Sequence, residues 1–214
     1  MNKFAVSLAS SLVLAAVLTA CGGGSDDSGS TPPPPPITPP TPAPELAQDY
    51  CYTLSTSMGD ITLAIDATNT PITGENFKQY VDTGFYDGLI FHRVIHQFMV
   101  QGGGYTPDLV QKETLDPIEN EASVGISNLR GTIAMARTSS PNSATSQFFI
   151  NSVDNEFLDK ANASDGVGYA VFGQVIDGIE IIDQIDIVDT NPNNDIPVED
   201  IVINSIAEMT CPAT

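Results

Sequence analysis

Positive charge is what this sequence has least of. Its 214 residues carry 7 lysines and arginines against 27 aspartates and glutamates, a formal net charge of −20. A nucleic-acid binder needs a basic footprint to meet phosphates, so that class is excluded. The acidity favours solubility and says nothing about fold. Histidine is almost missing too: the only two, His92 and His96, lie four apart with no cysteine or acidic residue close by. On a helix that spacing holds zinc, but here the run is strand-like, so no metal site is expected. The Asp- and Asn-rich stretch 183–195 lacks the fixed glycine and final glutamate of an EF-hand and reads as a solvated loop. No Gly-x-Ser-x-Gly elbow accompanies the serines, which argues against a hydrolase. The glycines Gly102 to Gly104 have no Lys-Ser/Thr or helix start behind them, so they read as a loop with unusual backbone angles rather than a phosphate cradle.

Long apolar runs are also scarce. The stretch Phe4 to Leu18, preceded by Lys3, is too short and too rich in small residues for a good membrane span, and residues 1–20 read as a secretory signal. Its end, Leu18-Thr19-Ala20-Cys21, resembles the lipobox of bacterial lipoproteins, which implies a lipidated Cys21 at the start of the mature protein. Gly22 follows, with no aspartate to suggest inner-membrane retention, so the resemblance points to an outer-membrane anchor facing the periplasm. An ordinary signal with a free Cys21 is the alternative. Residues 21–47 form a tether: Gly, Ser and Asp first, then a proline-rich part from Pro32 to Pro44 that favours an extended rod of roughly 40 Å.

Residues 48–214 suit one domain with a sizeable core. Of three cysteines, Cys51 opens this domain and Cys211 closes it. In an oxidising compartment a bridge is expected if the ends meet; otherwise they are two free thiols. Cys51–Thr56 and Asp60–Asp66 read as a hairpin turned at Met58-Gly59, with Ile61, Leu63 and Ile65 alternating against Thr62, Ala64 and Asp66. Thr70-Pro71 predicts a helix start with Thr70 as N-cap, Phe77, Tyr80 and Val81 as its inward stripe, and Gly84 as its end. Strands are expected near 90–95, 98–101, 131–136, 147–151, 170–175 and 198–208, with a second helix near 178–184. Many short strands with two helices predict a mainly β fold, a closed barrel capped by helices, whose closure would bring the first and last strands together.

Within FHRVIHQFMVQGGG, from Phe91 to Gly104, Arg93 stands among large apolar side chains. A guanidinium stays charged and offers five fixed donors, and buried without a partner it is costly. It must pair with a carboxylate or face a cleft and await a ligand. Phe91, Phe98, Met99, Phe148 and Phe149 read from pattern alone as ordinary core.

Five blocks resolve this. GFYDGLIFHRV from Gly84, FMVQGGG from Phe98, RGTIAMAR from Arg130, SATSQFFIN from Ser143 and GYAVFGQV from Gly168 occur in order across nearly the whole domain. The sequence resembles cyclophilin-type peptidyl-prolyl cis-trans isomerases of the bacterial periplasmic branch. The resemblance implies an eight-stranded antiparallel barrel, a helix at each end and a groove on one outer face. It implies Arg93 as the catalytic arginine, Phe98, Met99, Phe149 and Leu158 as the proline pocket, and Gln101 and Gln147 as polar groove residues. Ala136 and the backbone of Arg137 would help seat the peptide. Phe157 stands where many eukaryotic members carry tryptophan, and Tyr169 where they carry a groove histidine; the former implies weak cyclosporin binding.

The implied chemistry breaks no covalent bond and needs no metal or cofactor. Its partners are proline-containing unfolded or exported polypeptides, and the membrane only through a lipid. The domain reads as a monomer. A peptide-binding chaperone module with incidental turnover, and an interaction protein working through its proline-rich segment, are the competing readings.

Overall fold

The computed structural model describes residues 42–213; the expected signal segment, the expected lipidation at Cys21 and residues 21–41 of the expected tether lie outside the described residues. The elements are β1 (Tyr50–Thr56), β2 (Gly59–Ile65), α1 (Pro71–Asp82), β3 (Phe91–Ile95), β4 (Met99–Gly102), β5 (Thr132–Met135), β6 (Phe148–Asn151), β7 (Val171–Asp177), α2 (Ile179–Asp186) and β8 (Ile203–Met209). The strands form one eight-stranded sheet in the order β3-β4-β6-β5-β7-β2-β1-β8, antiparallel throughout.

The β1–β2 hairpin is tighter than the sequence suggests. Thr56 pairs with Gly59, so Ser57-Met58 is the whole loop and Gly59 already belongs to β2. The Thr56 hydroxyl accepts the N–H groups of Met58 and Gly59, each at 3.1 Å, and donates to the Gly59 carbonyl at 2.7 Å. Gly59 sits at φ +141°, which side chains disfavour, and a Cβ there would also push the end of the Ile181 side chain of α2, 2.7 Å away. The expected alternation holds at Ile61, Leu63 and Ile65, but Ala64 and Asp66 are buried as well. Asp66 is buried because it fastens the incoming chain. It accepts the N–H groups of Ala47 at 3.0 Å and Asn69 at 2.7 Å, while the Asn69 amide donates to the Glu45 carbonyl at 3.0 Å. The domain is therefore anchored from Glu45, inside the segment expected to be tether.

Helix α1 begins at Pro71, where a missing N–H costs nothing. Thr70 makes no side-chain cap; its hydroxyl donates to the Asp66 carbonyl. The cap comes from Glu121, whose carboxylate accepts the Ile72 and Thr73 N–H groups at 3.2 and 2.8 Å. The other end is a Schellman closure: Gly84, at φ +63°, donates to Val81, and Phe85 donates to Tyr80. Phe77 of α1 plugs the concave side of the sheet. Its ring lies 5.3–5.8 Å from those of Tyr52, Tyr86, Phe148 and Phe172, separations at which aromatic rings attract. Helix α2 seals the second end with Ile182 and Ile185.

The sheet is a curled half-barrel rather than the closed barrel expected. Its end strands, β3 and β8, form no ladder with each other. They approach at one isolated bridge, Ile90 with Val202, beside bonds from Phe91 to Ile201 and from Ile203 to Leu89. Further along, the loop before β8 intervenes, and the Val94 N–H goes to the Asp195 carbonyl at 2.9 Å. The last strand accordingly starts at Ile203, and Val198–Asp200 is exposed loop.

Strands β1 and β8 lie side by side, with Cys51 opposite Met209. Two residues later Cys211 forms a disulfide with Cys51, Cα–Cα 5.1 Å, across a sequence separation of 160. Lateral pairing, not barrel closure, brings the cysteines together. A loop this long restricts the unfolded chain strongly, so the Cys51→Ala/Cys211→Ala pair should lose about 2–5 kcal/mol in denaturant unfolding, and reductant should destabilise the wild type alike. An unchanged midpoint would mean that the bridge contributes nothing.

Candidate active site

The register of the sheet assembles the site. Arg93 on β3 pairs with Gln101 on β4, Gln101 with Phe149 on β6, and Phe149 with Ala134 on β5. Directly paired residues share a face. Because side chains alternate along a strand, Phe148 and Ile150 point into the core while Phe149 points out. Met99, Ala134, Phe149 and Val171 form a second small cluster on this outer face, with Phe98, Ala136, Leu158 and Tyr169 packed against it.

Over this cluster lies a cavity of about 330 Å³ lined by Arg93, Phe98, Met99, Gln101, Ala136, Arg137, Phe149, Leu158 and Tyr169. Sequence reasoning named all of them. Two further candidates stand apart. Gln147 lines the adjoining recesses and accepts a hydrogen bond from the Gln101 amide at 3.0 Å. Phe157 is 58% exposed and stacks on the outside of Phe98, centroids 5.6 Å apart, so it buttresses the pocket wall without lining it.

The two arginines differ in freedom. The Arg137 side chain is 3% exposed and held by three hydrogen bonds. It donates to the Gly168 and Thr138 carbonyls and to Asp165, and it lies 4.4 Å from the Tyr169 ring centre. Asp165 is held down to about 2, chiefly by Arg137 and then by the Val167 and Gly168 N–H groups. Arg93 is 41% exposed, and its one ion pair is loose, Nε to Asp195 Oδ2 at 3.4 Å. The question left by the sequence is answered both ways: Arg93 has a carboxylate beside it and an open cavity in front. Its neighbour His92 is mostly buried, and burial, aided by the Arg93 charge, pushes its imidazole down to about 4. His96 turns elsewhere, bonding Asp186 at 2.8 Å.

The glycine run serves the site through space. Only Gly103 has a left-handed φ, +83°. A Cβ at Gly102 would strike Phe91 at 2.8 Å, and one at Gly104 would strike the Gln147 side chain at 2.6 Å. Sequence reasoning missed the support beneath the pocket, three buried asparagines. The Asn155 amide donates to the Phe98 carbonyl and to Asn151 Oδ1, both at 2.8 Å, and its N–H donates to the Asn128 carbonyl at 2.7 Å. The signal was an asparagine ending the apolar run Phe148-Phe149-Ile150. Asp195 was also missed, since nothing local ties it to Arg93.

The family model described as "Cyclophilin type peptidyl-prolyl cis-trans isomerase/CLD" matches residues 51–208. Peptidyl-prolyl cis-trans isomerase A of Dickeya dadantii is 54% identical over 155 residues, covering 71% of this chain and 80% of the relative. Peptidyl-prolyl cis-trans isomerase B of Escherichia coli is 49% identical over 158 residues, covering 72% and 96%. Among solved structures, a cyclophilin-type isomerase of Cryptosporidium parvum superposes with a TM-score of 0.61 at 25% identity, covering 76% of this chain and 99% of that one. This chain belongs to the cyclophilin-type peptidyl-prolyl cis-trans isomerase family.

Proposed function

We propose that the outer-face groove catalyses rotation about X-Pro peptide bonds, with Arg93 as the catalytic group. The observation that carries this is one loosely held guanidinium on the wall of an apolar cavity. Amide resonance sets a rotation barrier of ~18–20 kcal/mol. For X-Pro bonds both isomers are populated, and exchange takes tens to hundreds of seconds. Catalysis requires only that the twisted amide be bound better than either planar form.

In the twisted state the proline nitrogen is pyramidal and its lone pair is free. Arg93 donates to it, and the partly shielded groove strengthens that interaction relative to water. Phe98, Met99, Phe149 and Leu158 hold the proline ring while the preceding carbonyl swings. The Gln101 amide has two hydrogens; one goes to Gln147, and the other serves a substrate carbonyl. Asp195 keeps the guanidinium oriented without saturating it. Arg137, buried and held by three hydrogen bonds, shapes the wall.

The clients are proline-containing unfolded or exported polypeptides. The lipobox-like sequence supports anchoring through Cys21, at the outer membrane facing the periplasm. The domain acts as a monomer, and cyclosporin binds weakly because residue 157 is phenylalanine.

Arg93→Ala should lower kcat/KM on an X-Pro peptide about 100- to 1000-fold, and Arg93→Lys should not restore it, since lysine lacks the planar fork. Equal rates in wild type and Arg93→Ala would leave a peptide-binding module instead.

The pH profile follows from His92. An imidazole lowered to about 4 is neutral throughout the physiological range, and arginine does not titrate there. The rate of proline exchange, followed by NMR, should therefore be flat from about pH 6 to 8. Stability should be complete above about 6.5, where unfolded histidine loses its proton, and should fall as the pH drops from there toward 4, because only the unfolded state takes up the proton. A rate inflection near 6.5 would contradict the assignment.

Metabolic labelling with a fatty acid should mark the wild type and not Cys21→Ser; retained label would exclude the anchor.

A further inference from the structure

Arg93 walls two recesses at once, and Gln101 walls both of these and a third. Beyond them, away from the proline cavity, lies a second recess of about 390 Å³ bounded by Tyr105, Leu109, Asn194 and Ile196. The isomerisation step makes no use of it. Its far wall is largely apolar, with Leu109 47% exposed and the Tyr105 ring lying 4.6 Å from that of His92.

Two loops build this recess, and both are fastened. In the first, Tyr105 bridges Gln111, and the Thr106 N–H donates to the Val110 carbonyl at 3.0 Å. In the second, Thr190 bridges Pro197, and the Asn191 N–H donates to the Ile196 carbonyl at 2.8 Å. Each loop also holds a non-glycine residue in the left-handed region, Leu109 at φ +57° and Asp195 at φ +59°. Aspartate tolerates that conformation through its short polar side chain; leucine has no such relief, and strain of this kind concentrates at binding sites. Here it holds an exposed leucine against a recess that opens onto Arg93.

We propose that this recess is a second substrate lobe, which takes an aliphatic or aromatic side chain from a residue within two of the client's proline. The assignment rests on the isomerase reading of the groove. Continuity argues for the occupant: the two recesses share the Arg93 and Gln101 walls, and an extended peptide advances at most ~3.6 Å per residue. With proline in the first recess, only its near neighbours reach the second. The enzyme thereby selects prolines flanked by an apolar residue.

The test uses single-proline peptides with leucine or glycine at each of the two positions before and after the proline, with exchange measured by NMR. At one position, leucine should raise kcat/KM about tenfold over glycine. In Leu109→Gly, which suits the positive φ, and in Ile196→Ser, that ratio should fall toward one. Because the ratio is taken within one preparation, any unfolded fraction cancels. A wild type without preference at any position, or a ratio unchanged in both variants, overturns the lobe and leaves the isomerase standing. Absence of turnover on every peptide overturns the isomerase reading instead. The lobe is then read by titrating the leucine peptide against the Leu109 and Ile196 methyl resonances: selective shifts support it, and unmoved resonances refute it.

Discussion

Everything at the groove depends on cross-strand register. Arg93, Gln101, Phe149 and Ala134 share one outward row because β3, β4, β6 and β5 pair as they do. A slip of one residue would turn a strand's whole set of side chains to the other face. What prevents the slip is the interior. Phe148, next in sequence to Phe149, is locked edge-on against Phe77 and Tyr86. The same alternation that gives α1 its aromatic socket therefore aims the groove residues, and the core and the groove rest on one set of backbone pairings.

The scarcity of cations gives the site its character. Most of the cations among the described residues have dedicated partners. Lys78 pairs with Asp82, Arg130 with Asp183 and Arg137 with Asp165, while Lys112 donates to the Phe85 carbonyl. Arg93 is held by a single long contact and faces the cavity. In a chain with a net charge of −20, this leaves a loosely held positive donor on the wall of an apolar cavity.

The loops are as constructed as the strands. The segment before β8 covers the edge of β3 through Val94, supplies Asp195 to Arg93 and walls the second recess with Asn194 and Ile196. Under the outer-face cavity, Asn155 ties the loop bearing Leu158 to the Phe98 carbonyl and to Asn151. Each buried amide replaces water bonds that the folded chain would otherwise leave unmade.

Much of this was legible in one dimension. Alternation at Ile61, Leu63 and Ile65, Pro71 at a helix start, Gly84 at its end, the five ordered blocks and the placement of Cys51 and Cys211 all report local dihedral preference, periodicity or chemical type, and these are carried by neighbouring residues. The capping of α1 by Glu121, the asparagine support, the Asp195 contact, the burial of Asp66 and the open seam between β3 and β8 were decided only in three dimensions. Each of those contacts joins residues far apart along the chain, and which of them meet is set by how the sheet curls and where its loops return, a property of the whole packing that no local pattern encodes.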